Sequence, residues 1–176
     1  MNLNKLSNFL ILNDYNIKRM AETHKKILFR YYSDLLEDTV VETMWAEIID
    51  LEKGYFKLDN IPFFGPLIAT DDIFFAEYDE DEERLVYRKT IESFGNSILQ
   101  VVILEKGFDK EIIREKLKAI NCNSEGLNET LFAVEVLKEV DYALVKNILE
   151  EYVADAIIDF AEPCLSEKHR ADLLKN

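Results

Sequence analysis

The chain has 176 residues and a formal net charge of −14, from 35 Asp and Glu against 21 Lys and Arg. That length fits one domain of ordinary size or two small ones sharing a core, and 48% hydrophobic residues are too many for a disordered chain. A surface this negative repels nucleic-acid phosphates and anionic lipid, so it argues against both as partners and favours a basic protein or a cation.

Residues 1–24 read as an N-terminal leader in which Leu3, Leu6, Phe9 and Leu10 fall at helical spacing. Its apolar stretch Phe9–Leu12 is too short for a signal peptide. The chain holds no apolar run of about 18 residues, the length of a membrane span. A cytoplasmic protein is therefore expected.

Residues 25–97 form a strand-rich half. Ile27–Tyr32 and Thr39–Asp50 are rich in β-branched and aromatic residues, and Val41, Thr43 and Trp45 alternate on one face. Gly54 marks a turn before the strand Tyr55–Leu58, and Asp59-Asn60-Ile61-Pro62 and Gly65-Pro66 are turn chemistry. Ile73–Tyr78 and Arg84–Ile91 are two strands joined by Asp79-Glu80-Asp81-Glu82-Glu83, a hairpin with an acidic tip. Short strands with tight turns predict a bent antiparallel sheet or small partial barrel.

Residues 98–176 change pattern. Ile98–Leu104 is a continuous apolar run, as a central strand requires. Asp109 caps a helix with the face Ile112, Ile113, Leu117 and Ile120, and Leu131–Leu137 is a strand. Asp141 caps a second helix, with the face Leu144, Val145, Ile148, Leu149, Tyr152 and Val153. Ile157–Phe160 is a last strand that Pro163 stops. The order β-α-β-α-β predicts a ferredoxin-like layer continuous with the first half, and the fold class is α+β.

Four segments carry a resemblance: Trp45-Ala46, Leu58-Asp59-Asn60-Ile61-Pro62-Phe63-Phe64, Asp71-Asp72 entering a strand, and Ser93-Phe94-Gly95-Asn96-Ser97. Together they resemble a bacterial family of uncharacterised domains, over about Ile27–Leu165, with Phe94 inserted in the last motif. The resemblance implies the fold outline and a bacterial source, and it implies no activity. On physical grounds Trp45 is expected in the core, Asn60 to brace its turn, and Gly95-Asn96 to supply a tight turn.

Little in the chain points to catalysis. His24 and His169 lie near opposite ends without metal-ligand spacing, and both are expected on the surface. Cys122 and Cys164 make no redox or metal motif and are expected as buried or half-buried thiols. Asp71, Asp72 and Glu77 lack the Asp/Asn ladder and glycine of a calcium loop, so no metal and no cofactor is expected.

The strongest local feature is the run from Asp71 to Glu83, with eight acids and no base. Asp71, Asp72, Glu77, Asp79, Glu80, Asp81, Glu82 and Glu83 read either as a solvated turn or as a surface for the Lys and Arg of a basic partner, with Phe74, Tyr78 and Tyr87 as candidate aromatic anchors. The expected function is a non-catalytic binding protein of immunity type, neutralising a cognate toxin such as a basic nuclease. Two alternatives stand beside it. One is an adaptor or regulatory domain, and the other is a small-molecule-binding domain or enzyme with a pocket between sheet and helices.

Overall fold

The structure is a computed structural model that describes residues 22–33, 38–65 and 67–175. The expected leader helix, with Leu3, Leu6, Phe9 and Leu10, lies outside the described residues.

Strands β1 (His24–Ser33), β2 (Asp38–Asp50), β3 (Tyr55–Leu58), β4 (Ile73–Asp79) and β5 (Arg84–Glu92) follow one another as an antiparallel meander. A parallel contact of β1 with β5, at Leu28 and Val86, closes the five into a ring. Its interior is aromatic. Phe29 stacks on Tyr87 at 4.9 Å and meets Phe74 edge-on at 5.3 Å, and Phe56 stacks on Phe74 at 6.0 Å. Ile27, Met44, Ala46, Leu58 and Ile68 complete this core. The buried face of β2 is the Met44–Ala46 face, so Val41 and Thr43 point outward. Trp45 is half-buried on the outside of the ring under the Lys26 ammonium, 5.0 Å from its ring centre, and is not the core residue expected.

The second half has four strands: β6 (Ser97–Ile103), β7 (Asn123–Gly126), β8 (Leu131–Val136) and β9 (Ile158–Cys164). Their spatial order is β7-β8-β6-β9, all antiparallel. Helices α1 (Glu111–Ala119) and α2 (Tyr142–Ala154) cross one face, and a short α3 (Glu167–Asp172) ends the chain. The order β6-α1-β7-β8-α2-β9 is the split βαβ arrangement of a ferredoxin-like layer. The chain thus has the α+β class and ferredoxin-like layer expected, with one strand more. Asn123-Ser124-Glu125-Gly126 carries no apolar side chain, so pattern does not mark β7; backbone pairing with β8 makes it. Pro163 does not stop the last strand. β9 is an edge that pairs only with β6, where a missing N–H is tolerated.

The middle of the space between sheet and helices is filled. Leu99, Val101, Phe132, Val134 and Val136 meet Ile113, Leu117, Val145 and Leu149 there. Asp141 caps α2 by accepting the Ala143 N–H at 3.1 Å. Asp109, expected as the cap of α1, lies one residue before the cap position, which is Lys110, and accepts the Glu111 N–H at 3.0 Å. No helix among the described residues is long and apolar enough to cross a membrane.

Candidate functional site

The four motif segments converge on one place, the joint between ring and layer. Asn60 Oδ1 accepts the Trp45 N–H at 2.6 Å. Glu42, on β2, accepts the N–H groups of Phe63 and Phe64 at 3.0 and 3.2 Å. Asp72 accepts the Ala69 N–H at 3.0 Å and the Phe94 N–H at 2.7 Å, tying the β3–β4 loop to the link between β5 and β6. Asn96 donates to the Thr70 carbonyl at 3.0 Å and accepts the Lys138 N–H at 2.9 Å. Gln100 donates to the Phe63 carbonyl. A small apolar seam of Ile61, Ala69, Ile98 and Ala133 lies beside these bonds. Burial pushes the Glu42 and Asp72 carboxyls above their ordinary range, against the pull of the amides they bind. The motifs are fasteners, and Asn96, expected only as a turn residue, is a buried bridge.

The hairpin β4–β5 starts at this joint and ends at the far end of the ring. Its acids fall into two groups. Asp72 is buried in the joint and cannot meet a partner, and Asp71 faces the Asn96 amide at 3.3 Å. Glu77 and Asp79 share Arg88, each at 2.8 Å, and Glu82 pairs with Arg30. The Arg88 guanidinium holds the Asp79 carboxyl below its usual range. Asp79 also accepts the N–H groups of Asp81 and Glu82 at 3.1 and 3.2 Å, which shapes the turn. Glu80, Asp81 and Glu83 are exposed, and among the described residues no cation forms an ion pair with them.

The anchors separate in the same way. Tyr78 is 61% exposed beside the tip. Phe74 is 0% exposed in the ring core, and Tyr87 stacks on Phe29 and holds the Thr90 hydroxyl at 3.0 Å. Neither can serve as an anchor, because strand alternation turns both inward. One exposed apolar residue that sequence pattern did not single out lies near Tyr78. Leu51, 58% exposed, sits in the β2–β3 turn, and Gly54 of that turn accepts the Ala76 N–H of β4 at 2.9 Å. A shallow groove of about 230 Å³ is lined by Leu51, Phe75, Tyr78 and Leu85, together with Glu52, Glu77 and Lys53, which is paired with Asp50. Gly54 is held at φ +68°, and a Cβ there would lie 2.5 Å from the Ala76 carbonyl.

The groups that sequence chemistry would nominate for catalysis are enclosed. His169 is not on the surface but buried, with Nδ1 2.6 Å from Ser97 Oγ and Nε2 3.2 Å from the Leu137 carbonyl. His24 is half-buried, 3.2 Å from the Asp59 carboxylate. Cys122 is buried and Cys164 partly so, both free, and burial pushes their thiols up to about 12 and about 11. Among the described residues, no group of three or more His, Cys, Asp or Glu is placed to hold a metal ion. Among the described residues the core fills the middle of the space between sheet and helices, where a pocket was expected, and a pocket of about 230 Å³ lies at its edge between α1 and β7, lined by Glu111, Arg114, Cys122 and Ser124. A cleft of about 820 Å³ opens at the end of the layer, between the β6–α1 and β7–β8 connections. Glu105, Asp109, Glu111 and Glu129 line it with Lys106 and Lys110, and Lys110 is bonded to the Asn128 carbonyl.

No curated protein matches the chain by sequence. A crystal structure of a hypothetical protein from Neisseria gonorrhoeae is similar to it, with 25% identity and a TM-score of 0.70 over 81% of this chain and 95% of that one. The family model described as a domain of unknown function, DUF4265, matches residues 42–160, a span that takes in all four motif segments, and the chain belongs to that family.

Proposed function

We propose that the protein is a non-catalytic binding protein that docks a basic protein on the hairpin end of its ring. In its sharper form the reading is an immunity-type protein of the cytoplasm that neutralises a cognate toxin. A nuclease suits it, because a phosphate-binding surface is basic. The observation that carries the reading is the pairing of unopposed charge with exposed apolar surface at one end of the ring: Glu80, Asp81 and Glu83 beside Tyr78 and Leu51. Charges of this kind speed encounter and select the partner, while a desolvated aromatic anchor holds it. The enclosure of Ser97, His169 and both thiols supports binding over catalysis.

The test is capture from the source organism's lysate at low and high salt, with wild type and a Glu80→Ser, Asp81→Ser, Glu83→Ser variant. One basic protein retained by wild type and lost from the variant supports the reading. Capture that ignores the variant removes the hairpin end from it. An adaptor separates from an inhibitor at the next step, because only an inhibitor abolishes the captured protein's activity. The cleft at the end of the layer favours a second, small-molecule reading. Saturable binding of a metabolite there, lost on Lys106→Ala, would move the assignment to it.

A further inference from the structure

Helix α3 is six residues long, too short to hold helical form by itself in water. Its place depends on what its side chains reach, and two of them are buried, Asp172 and His169. Asp172 accepts the Tyr142 N–H at 3.2 Å, Lys168 Nζ at 2.7 Å and Lys175 Nζ at 3.1 Å. The Lys168 ammonium above all holds its carboxyl far below the usual range, so this tether stays ionised through mild acid.

His169 makes the other attachment. The Leu137 carbonyl can only accept, so Nε2 carries the hydrogen, and Nδ1 accepts the Ser97 hydroxyl. Ser97 Oγ accepts the Ser166 N–H at 2.9 Å, and the Ser166 hydroxyl oxygen accepts the His169 N–H at 3.3 Å as the helix cap. The neutral imidazole satisfies every member of this set. Burial and the positive charge of Lys168 both oppose a proton on the ring, while the Asp172 carboxylate and the carbonyls of Leu137 and Val140 favour one. From α2 the ring meets Tyr142, 5.5 Å away between centres, whose hydroxyl is bonded to Glu162. From β6 it meets the Ser97 hydroxyl.

A second proton must go on Nδ1. It would then point at Ser97 Oγ, whose second lone pair can accept it beside the Ser166 N–H, but the Ser97 hydroxyl hydrogen would lose its acceptor. A full positive charge would stand buried beside Lys168. We infer that α3 is a proton-operated latch: protonation of His169 breaks the bond from the Ser97 hydroxyl and sets a buried charge beside Lys168, which loosens the N-terminal end of the helix, while Asp172 keeps its far end tethered.

The test is hydrogen exchange on the full chain from pH 8 to 4.5, corrected for intrinsic exchange, beside an NMR titration of the His169 ring. The expected result is a loss of protection confined to residues 166–170 and 137–141, up to about tenfold per pH unit as pH falls from about 6.5 towards the His169 midpoint. Ring peptides such as 73–79 should keep their protection. His169→Gln, which offers a donor and an acceptor but does not titrate, should hold α3 equally at pH 7 and pH 5. If that variant does not fold, Ser97→Ala removes the donor to Nδ1 and should move the same transition to higher pH. A ring that titrates without loosening α3, a ring that does not titrate above pH 4.5, or a loss unchanged in whichever variant folds would overturn the latch.

Discussion

The joint and the hairpin end of the ring are both acidic, yet their acids work in opposite ways. At the joint Glu42 and Asp72 are turned inward and each holds two backbone N–H groups that would otherwise be buried without partners. At the hairpin end Glu80, Asp81 and Glu83 are exposed and pair with no cation among the described residues. One run of eight acids supplies residues to both. The count of charges in a segment therefore says little about the charge it shows, and pairing must be subtracted first.

The comparison breaks most sharply between two aromatic residues four apart on β4. Phe74→Ala should cost about 4 kcal/mol in chemical denaturation, because it empties the middle of the ring core. Tyr78→Ala should stay within about 0.5 kcal/mol of wild type and weaken partner capture instead. A reversed pattern would put Tyr78, and not Phe74, in the ring core. Next in size, Asp72→Ala should cost about 3 kcal/mol, since it strands the Ala69 and Phe94 N–H groups in the joint. Denaturation indistinguishable from wild type would dismiss Asp72 as a fastener.

The pH dependence sharpens the same contrast. The folded His169 has a lowered pKa, so the unfolded chain binds the proton more readily. Its contribution is whole above about pH 6.5, the unperturbed histidine value, and is lost as pH falls towards the folded value. Glu42 and Asp72 have raised pKa values, so their effect runs the other way: they favour the fold below about pH 4 and lose that contribution as pH rises. The difference in stability between wild type and His169→Gln isolates the histidine, and it should change sign-consistently in favour of the variant as pH falls from 7 to 5. The smallest stability effect belongs to Glu80→Ser, Asp81→Ser, Glu83→Ser, expected within about 0.5 kcal/mol by denaturation. A larger loss would show that the tip is structural after all.

The elements that alternate or cap in sequence were legible: β1 to β6, β8 and the two long helices lie within a few residues of where pattern puts them. β7 was not, because Asn123–Gly126 has no apolar face and exists through its pairing. Nor was α3, which is made by Ser166 and by two buried side chains contributed to a distant strand and helix. Turn chemistry at Asn60-Ile61-Pro62 was visible, but its destination was not, since Asn60 and Asp72 meet segments far along the chain. At the hairpin a usable signal was present. Arg84, Arg88 and Lys89 on the returning strand foretell that some of the acids opposite are already paired. Burial of His169 had no such signal, because one histidine carries no periodicity.

The most direct test of the central claim is the association rate of the captured basic partner, measured against salt concentration for wild type and for the Glu80, Asp81, Glu83 triple variant. The account predicts a rate that falls steeply with salt for wild type and a lower, flatter dependence for the variant, with dissociation little changed. The same salt dependence in both proteins would contradict it, and would place the docking surface elsewhere on the molecule.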